Sequence, residues 1–174
     1  RAADHDMHPD ALLAPAGILE VDSGQLNIVF GTSRDTSDFV ADCLELWWTN
    51  RRDLHGQVRR LQIDLDNGPE ISSARTQFMK RLVDFSDRHQ LTLELAYFPP
   101  YHSKYNPIER CWGALEKHWN GSLLDTVNTV VEFAKTMTWK GLSPVVKLLE
   151  TTYQKGVKLS KKAFTAMGNR IGRS

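Results

Sequence analysis

The sequence lacks several features that mark particular protein classes. No apolar run approaches the roughly 20 residues that a membrane span needs, and the first residues do not form a signal peptide. Its only cysteines, Cys43 and Cys111, stand outside paired motifs, which disfavours a disulfide or zinc site. No G-x-G-x-x-G segment follows a strand pattern, so a dinucleotide-binding fold is disfavoured. We therefore expect a soluble intracellular protein with both cysteines in its core.

Composition and charge indicate one globular domain with a basic end. The chain has 174 residues, of which 41% are hydrophobic, and a net charge of +1. Residues 1–100 hold ten basic and sixteen acidic side chains, whereas residues 101–174 hold twelve basic and five acidic ones. From residue 133 onward, Glu150 is the only acidic side chain. The C-terminal part is therefore the candidate surface for a polyanion, although a basic tail can also be simply solvated.

Periodic patterns predict an α/β domain. Apolar residues alternate where strands are expected and recur at helical spacing where helices are expected. The predicted order is two strands, a helix, a strand, a helix, a strand and then several helices, which favours a mixed sheet covered by helices. The predicted elements are strands Gly17–Val21 and Leu26–Phe30, a helix capped by Asp35 or Thr36 and ending near Asn50, a strand from Val58 to Asp66, a helix capped by Ser72 or Ser73, a strand Leu91–Tyr97, a helix from Asn106, and helices over 125–138 and 143–155.

The predicted domain organisation has three parts. Residues 1–14 lack periodicity and are predicted to be an irregular lead-in. Residues 15–120 contain the alternating strands and helices. Residues 121–174 are predicted to form a helical, basic extension that packs on the same domain.

Two acidic residues stand out by position. Asp66 ends a strand pattern, and Glu109 lies in the first turn of a helix that Asn106 caps and Pro107 begins. Carboxylates are suitable ligands for Mg²⁺, and two such cations can catalyse phosphoryl transfer. Each acid also has a structural explanation, since Asp66-Asn67-Gly68 favours a turn and Glu109 favours the positive end of a helix. Taken singly, neither acid identifies a catalytic site.

Longer motifs around these acids resemble a known family. The second and third acidic motifs of mariner-like DDE transposases are similar to two segments of this sequence, Leu65-Asp66-Asn67-Gly68-Pro69 and Phe98-Pro99-Pro100-Tyr101-His102-Ser103-Lys104-Tyr105-Asn106-Pro107-Ile108-Glu109, with Trp112 following. Bacterial insertion-sequence transposases of the Rhodopirellula-type DDE family resemble the chain more closely. They share a segment like Gly31-Thr32-Ser33-x-Asp35-Thr36, where x is any residue, and a pair like Trp47-Trp48. The resemblance covers most of residues 15–120.

The resemblance implies the RNase H-like fold of retroviral integrases, a mixed sheet flanked by helices. It makes Asp66 and Glu109 the second and third acids that hold two Mg²⁺ or Mn²⁺ ions. The family's first Asp lies on the first strand of the sheet, and no matching motif occurs here. Since the sequence starts at Arg1 instead of Met, we expect that strand and acid to be missing. Glu20, Asp22 and Asp64 are possible substitutes, but none lies in the matching motif.

Other residues acquire roles from the same resemblance. His102, Ser103, Lys104 and Arg110 are candidate DNA contacts beside the metals, with an ordinary polar loop or a solvated arginine as the alternative. Asn67 is a candidate for orienting Asp66. Trp112 and Trp119 lie on the apolar stripe of their helix and are expected to be core.

The function implied is that of a DDE transposase, which cuts and joins DNA ends by two-metal phosphoryl transfer. Its partners would be transposon ends and target DNA, and the full-length protein would be a homo-oligomer in the bacterial cytoplasm, associated with the nucleoid. Two alternatives remain, a non-catalytic DNA-binding remnant of such a transposase and an RNase H-like nuclease of another pathway. With one acid missing, we expect weak or no activity from these 174 residues alone.

Overall fold

The computed structural model describes residues 13–66, 68–72, 74–99, 106–122 and 124–172. Within these ranges, two short 3-10 helices, Arg52–His55 and Gly168–Arg170, accompany the strands and α-helices. In chain order the strands and α-helices are β1 (Ala14–Leu19), β2 (Leu26–Gly31), α1 (Ser37–Arg51), β3 (Arg60–Leu65), α2 (Thr76–His89), β4 (Thr92–Tyr97), α3 (Pro107–Trp119), α4 (Val127–Lys135), β5 (Val145–Leu149) and α5 (Lys161–Met167). No helix in these ranges combines the length and apolarity needed to cross a membrane.

The strands form two sheets. In the first, β2 lies between β1, to which it is antiparallel, and β5, to which it is parallel. In the second, β3 and β4 are parallel. Within the described ranges, no strand of one sheet is hydrogen-bonded to a strand of the other. The predicted mixed α/β class is confirmed, and the arrangement is consistent with an RNase H-like fold.

The first two strands form an antiparallel hairpin. Its turn contains Gly24 at φ +74°, a conformation that glycine adopts without steric cost. The Glu20 N–H donates to the Gln25 carbonyl at 3.0 Å, and the Gly24 N–H donates to the Glu20 carbonyl at 2.8 Å. The strand β1 begins three residues earlier than the pattern predicted, because Ala14, Pro15 and Ala16 also pair with β2.

Helix α1 has the cap that its sequence allows. Of the two predicted candidates, Thr36 is the N-cap, and its side chain accepts from the Phe39 N–H at 3.2 Å. The helix buries Phe39, Cys43, Leu44, Trp47 and Trp48. Cys43 and Cys111 are both buried and free, so their predicted place in the core is confirmed.

The predicted cap of α2 was wrong. The helix begins at Thr76, its N-cap residue is Arg75, and no side chain caps it. Ser72 lies one turn earlier, where its carbonyl accepts from the Arg75 N–H at 2.9 Å. Ser73 is outside the described residues. A serine can bond to its own local turn as easily as it can cap a helix, so its presence alone does not locate the helix start.

The predicted helix over 143–155 was also wrong. Residues Val145–Leu149 form β5, which pairs with β2 from Asn27 to Gly31. Five residues rich in valine and leucine suit a strand as well as a helix, and the open edge of β2 supplies backbone partners that decide between them. The C-terminal part is therefore not all helical, although α4 confirms the helix predicted near 125–138.

The core lies around β2. One cluster packs Leu26, Ile28 and Phe30 against Cys111 and Leu115 of α3, with Trp112 and Trp119 partly buried at its edge. A second cluster joins α1 to α2 and β3, and a third joins α1 to the hairpin. Gly17 permits the closest approach, because a Cβ there would lie 2.7 Å from the Trp112 ring. Helix α3 is thereby held against β1.

A buried carboxylate links the hairpin to α1. Glu20, which follows β1, accepts hydrogen bonds from the Trp47 indole at 3.0 Å and from Arg51 at 2.7 and 2.9 Å. Its side chain is only 6% exposed. Burial by itself raises the pKa of Glu20, but the hydrogen bonds from Arg51, Trp47 and Ser23 outweigh burial and lower this pKa to about 2.

We predict that this carboxylate makes stability depend on pH. Because the folded-state pKa lies below the ordinary value of 4.5, the stabilisation is complete above that value and is lost as pH falls from 4.5 toward 2. The variant Glu20→Gln should lower the free energy of unfolding at pH 7 by about 2 kcal/mol. Urea denaturation at pH 7 and pH 3 measures the difference, which should shrink at the lower pH. An equal loss at both values would contradict the assignment.

Candidate active site

Asp66 lies at the carboxyl end of β3. Its carboxylate accepts from the Gly68 N–H at 3.0 Å, which forms a tight turn just after the strand. The residue is exposed, while its neighbour Leu65 packs against the core of α1 and α2. The turn fixes the carboxylate at the end of the sheet while leaving part of it open to solvent.

Glu109 lies in the first turn of α3. Buried Asn106 is the N-cap and accepts from the Ile108 N–H at 3.3 Å, and Pro107 begins the helix. The predicted start of this helix is confirmed. Asn106, Pro107 and Ile108 line the same cavity as residues 60–65 of β3. The helix start that carries Glu109 and the strand that leads to Asp66 therefore border one space.

Asp35 lies within electrostatic range of both Asp66 and Glu70, and the sequence did not single out Asp35 or Glu70 as a site residue. Burial raises the pKa of Asp35, and the negative charges of Glu70 and Asp66 raise it further, while Lys155 opposes them. Glu70 is held by Arg75 at 2.6 Å. Asp35 belongs to the segment Gly31–Thr36 that resembles the transposase family, but the sequence pattern gave Asp35 itself only a possible role as a helix cap.

The three possible substitutes for a first acid have other surroundings. Glu20 is bound by Arg51 and Trp47. Asp22 is exposed in the hairpin turn. Asp64 is exposed on β3 and accepts from the Gln62 side chain at 2.7 Å. The neutralised Glu20 is the least suited of these to hold a cation, because its charge already has a partner.

The candidate DNA contacts are described only in part. Arg110 is exposed beside Glu109 on α3. His102, Ser103 and Lys104 lie outside the described residues, as does Asn67, and their predicted roles stay predictions.

The described carboxylates do not by themselves fit two metal ions. In the ranges that the structure covers, no three His, Cys, Asp or Glu side chains form a group able to hold a metal. Asp66 and Glu109 have the right chemistry for Mg²⁺, which prefers oxygen ligands. Two carboxylates are nevertheless too few to hold and separate a pair of cations.

Comparison with protein families then identifies the family of this chain. Residues 1–172 match the family described as Rhodopirellula transposase DDE domain. The chain belongs to this family. The matched range includes both Asp66 and Glu109. No match was found among curated proteins or among solved structures.

Membership in the Rhodopirellula transposase DDE domain family supports a transposase-type function. Such domains belong to enzymes that cut and join nucleic acid, and DNA binding follows from the same membership. The resemblance noted in the sequence is thereby confirmed at the level of the family.

The basic C-terminal segment of this DDE domain packs on α2. The Leu159 N–H donates to the Thr76 hydroxyl at 3.2 Å, and Arg170 forms an ion pair with Asp87 of α2. Lys158, Lys161 and Lys162 are exposed. Part of the basic charge is thus neutralised by the domain, and part faces solvent.

We predict that Asn106 supports the position of Glu109 through the helix cap. The variant Asn106→Ala should lower the free energy of unfolding by about 1 kcal/mol, because the cap bond to the first turn is lost. Asn106→Ser retains a capping oxygen and should recover most of that loss. Thermal denaturation of the three proteins measures the effect, and equal melting temperatures would show that the cap does not matter.

Proposed function

We propose that this domain supplies the second and third acids of a DDE transposase that cuts and joins DNA ends. The observation that carries the proposal is the placement of Asp66 and Glu109 on two elements that border one cavity, within a chain matched to the family over residues 1–172. A strand end and a helix start are rigid supports, which is what a catalytic pair requires.

The proposed reaction depends on Mg²⁺ or Mn²⁺. Two such ions would activate the attacking oxygen and stabilise the leaving one. Asp66 and Glu109 would be ligands, and the first acid would come from outside the described residues.

DNA would approach the site from the side of α3. The first turn of that helix carries Glu109 and exposed Arg110, and a cation beside the metal ligands suits a phosphate. We assign DNA contacts to His102, Ser103 and Lys104, which lie shortly before the start of α3 in the sequence, and we assign the support of Asp66 to Asn67. Transposon ends and target DNA would both bind here, in a homo-oligomer acting in the bacterial cytoplasm at the nucleoid.

A second candidate is a non-catalytic DNA-binding remnant of a transposase. The favouring observation is that, among the side chains described, no three acids or histidines group to hold a metal. The exposed lysines of the C-terminal segment would then be the functional surface. The two candidates differ in whether metal-dependent cleavage accompanies DNA binding.

We predict that both acids are needed for DNA cleavage and joining. In a transposase that contains this domain, Asp66→Asn and Glu109→Gln should each reduce Mg²⁺-dependent activity on transposon ends at least about 100-fold, because each removes a metal ligand. A gel assay of cleaved and joined products measures the loss. The matched control is Glu94→Gln, which removes an exposed carboxylate from the neighbouring strand β4 and should change activity less than about twofold.

Two outcomes of this assay would decide between the candidates. Full activity in Asp66→Asn or Glu109→Gln would remove that residue from the site. Binding of DNA without any cleavage by the unsubstituted transposase, at any Mg²⁺ or Mn²⁺ concentration, would favour the remnant.

We predict that Lys161 and Lys162 contribute to DNA affinity without reading sequence. Each lysine that neutralises a phosphate should add about 0.9 to the slope of log affinity against log salt. The double variant Lys161→Gln/Lys162→Gln should therefore lower this slope by up to about 2, as measured by fluorescence anisotropy. Lys80→Gln is the control, because Lys80 is already paired with Asp84 on α2, and it should leave the slope unchanged.

A further inference from the structure

The segment that follows β5 is tied to the chain that follows β2. We call this segment, residues 150–159, the strap. The Ser33 hydroxyl, two positions ahead of Asp35, donates to the Thr151 carbonyl at 3.1 Å and accepts from the Tyr153 N–H at 3.0 Å. Because β2 and β5 are parallel, both segments leave the sheet at the same end. One serine side chain thus fixes the first half of the strap beside Asp35.

Tyr153 anchors the strap on α1. Its side chain is buried, and its ring packs edge-on against Phe39 with the ring centroids 5.6 Å apart. Its hydroxyl donates to the Asp42 carboxylate at 2.8 Å. At the other end of the strap, the Leu159 N–H donates to the Thr76 hydroxyl of α2 at 3.2 Å. The strap is therefore held at both ends.

Between these anchors, the strap passes close to the chain that follows Asp66. Residues on both sides of Lys155 line a small cavity together with residues of that region. This cavity is lined, among others, by Gln154, Gly156, Val157, Thr36 and Glu70. Thr36 directly follows Asp35, and Glu70 comes shortly after Asp66. Lys155 itself is exposed, so the strap presents its ammonium group to solvent in this region.

The charge of Lys155 acts on the carboxylates gathered there. Burial and the charges of Glu70 and Asp66 raise the pKa of Asp35, whereas the charge of Lys155 lowers it. Lys155 therefore lies within electrostatic range of Asp35, which is itself within range of Asp66.

Two basic side chains of this region differ in their surroundings. The Arg75 guanidinium donates to the Glu70 carboxylate at 2.6 Å and to the Pro69 carbonyl at 2.6 Å. Its charge is thus engaged within the protein. Lys155 is exposed, and its flexible side chain can turn the ammonium donors toward a phosphate.

DNA that enters this site brings more negative charge toward the carboxylates of Asp35, Asp66 and Glu70. Metal ions would offset this charge at the reacting phosphate. The neighbouring phosphates of the backbone need cations from the protein, since like charges repel at short distance. An exposed lysine on a fixed segment beside these carboxylates meets that need.

We propose that Lys155 binds one DNA backbone phosphate next to the cleaved bond and that the strap positions it there. This inference rests on the transposase function proposed above and adds a positioning residue that lies outside the motifs around Asp66 and Glu109. The contact fixes the DNA relative to the carboxylates without reading its sequence.

Duplexes with a single neutral phosphate locate this contact. A transposase that contains this domain is titrated with transposon-end duplexes, each carrying one methylphosphonate, and binding is followed by fluorescence anisotropy without divalent cations. A methylphosphonate beside the cleaved bond should weaken binding of the unsubstituted protein at least about fivefold, because one charge contact is lost. The same methylphosphonate should change the affinity of Lys155→Gln less than about twofold, since the contact is already absent.

Two lysine variants serve as controls. Lys155→Arg keeps the positive charge and should retain the response of the unsubstituted protein. Lys117→Gln removes an exposed lysine from the last turn of α3, at the opposite end from Glu109, and should retain it too. The melting temperature of Lys155→Gln should equal that of the unsubstituted protein, because an exposed charge contributes little stability.

The role of the strap is tested through Ser33. Ser33→Ala removes the hydroxyl that holds Thr151 and Tyr153, so it should lessen the response to the methylphosphonate although Lys155 is unchanged. Ser33→Thr keeps a hydroxyl and should restore the response. A full response in a folded Ser33→Ala protein would remove the strap from the proposal.

The contact is overturned if Lys155→Gln and the unsubstituted protein respond alike at every phosphate. An equal loss of affinity at all phosphates in Lys155→Gln would reject it too, because that result indicates a general charge effect. Absence of DNA binding by the unsubstituted protein rejects both this contact and the proposed function.

Other outcomes separate the two proposals. Loss of one phosphate contact in Lys155→Gln, in a transposase that never cuts DNA, supports the contact and rejects the proposed cleavage. Loss of cleavage in Asp66→Asn and Glu109→Gln, with every phosphate contact retained in Lys155→Gln, supports the proposed function and rejects the contact.

Discussion

The buried carboxylate of Glu20 is the interaction on which the described arrangement depends most. It follows β1, accepts from Trp47 and Arg51 of α1, and lies within 3.6 Å of His55 ahead of β3. Because the two sheets share no backbone hydrogen bond in the described ranges, this cluster and the apolar contacts of α1 set their relative position. A charge taken out of water in this way must be fully paired, since loss of one partner leaves the other buried and unpaired. The geometry of the site is thus fixed by residues that do not belong to it.

Much of the fold could be predicted from the sequence where local chemistry and tertiary environment agree. The hairpin follows from Gly24 in its turn, and α3 follows from Asn106 and Pro107 at its start. The failure at Val145–Leu149 has a different origin. A short apolar run takes its conformation from whatever partner it finds, and the partner strand β2 lies more than a hundred residues earlier in the chain. No local pattern carries that information.

The candidate site could be predicted through its motif but not through its surroundings. Asp66 and Glu109 each had a sufficient structural role, and only the longer strings around them indicated catalysis. The structure adds what spacing cannot show, that the carboxylates of Asp35 and Glu70 influence the same region as Asp66. Asp35 precedes α1, whereas Asp66 and Glu70 follow β3, so these carboxylates come together only when the chain folds. An excess of negative charge at a strand end is costly unless a cation relieves it, which agrees with the metal dependence proposed for this domain.

The central position of β2 also determines the order in which the chain can fold. Its pairing with β1 closes a turn of a few residues, whereas its pairing with β5 joins Asn27 to Val145. Just after β2, the Ser33 hydroxyl accepts a hydrogen bond from the Tyr153 N–H at 3.0 Å. These two residues are 120 positions apart in the sequence. Contacts this distant form late and slowly. During synthesis, one edge of β2 therefore stays unpaired until Val145–Leu149 has emerged, and that exposed edge is the point at which aggregation competes with folding.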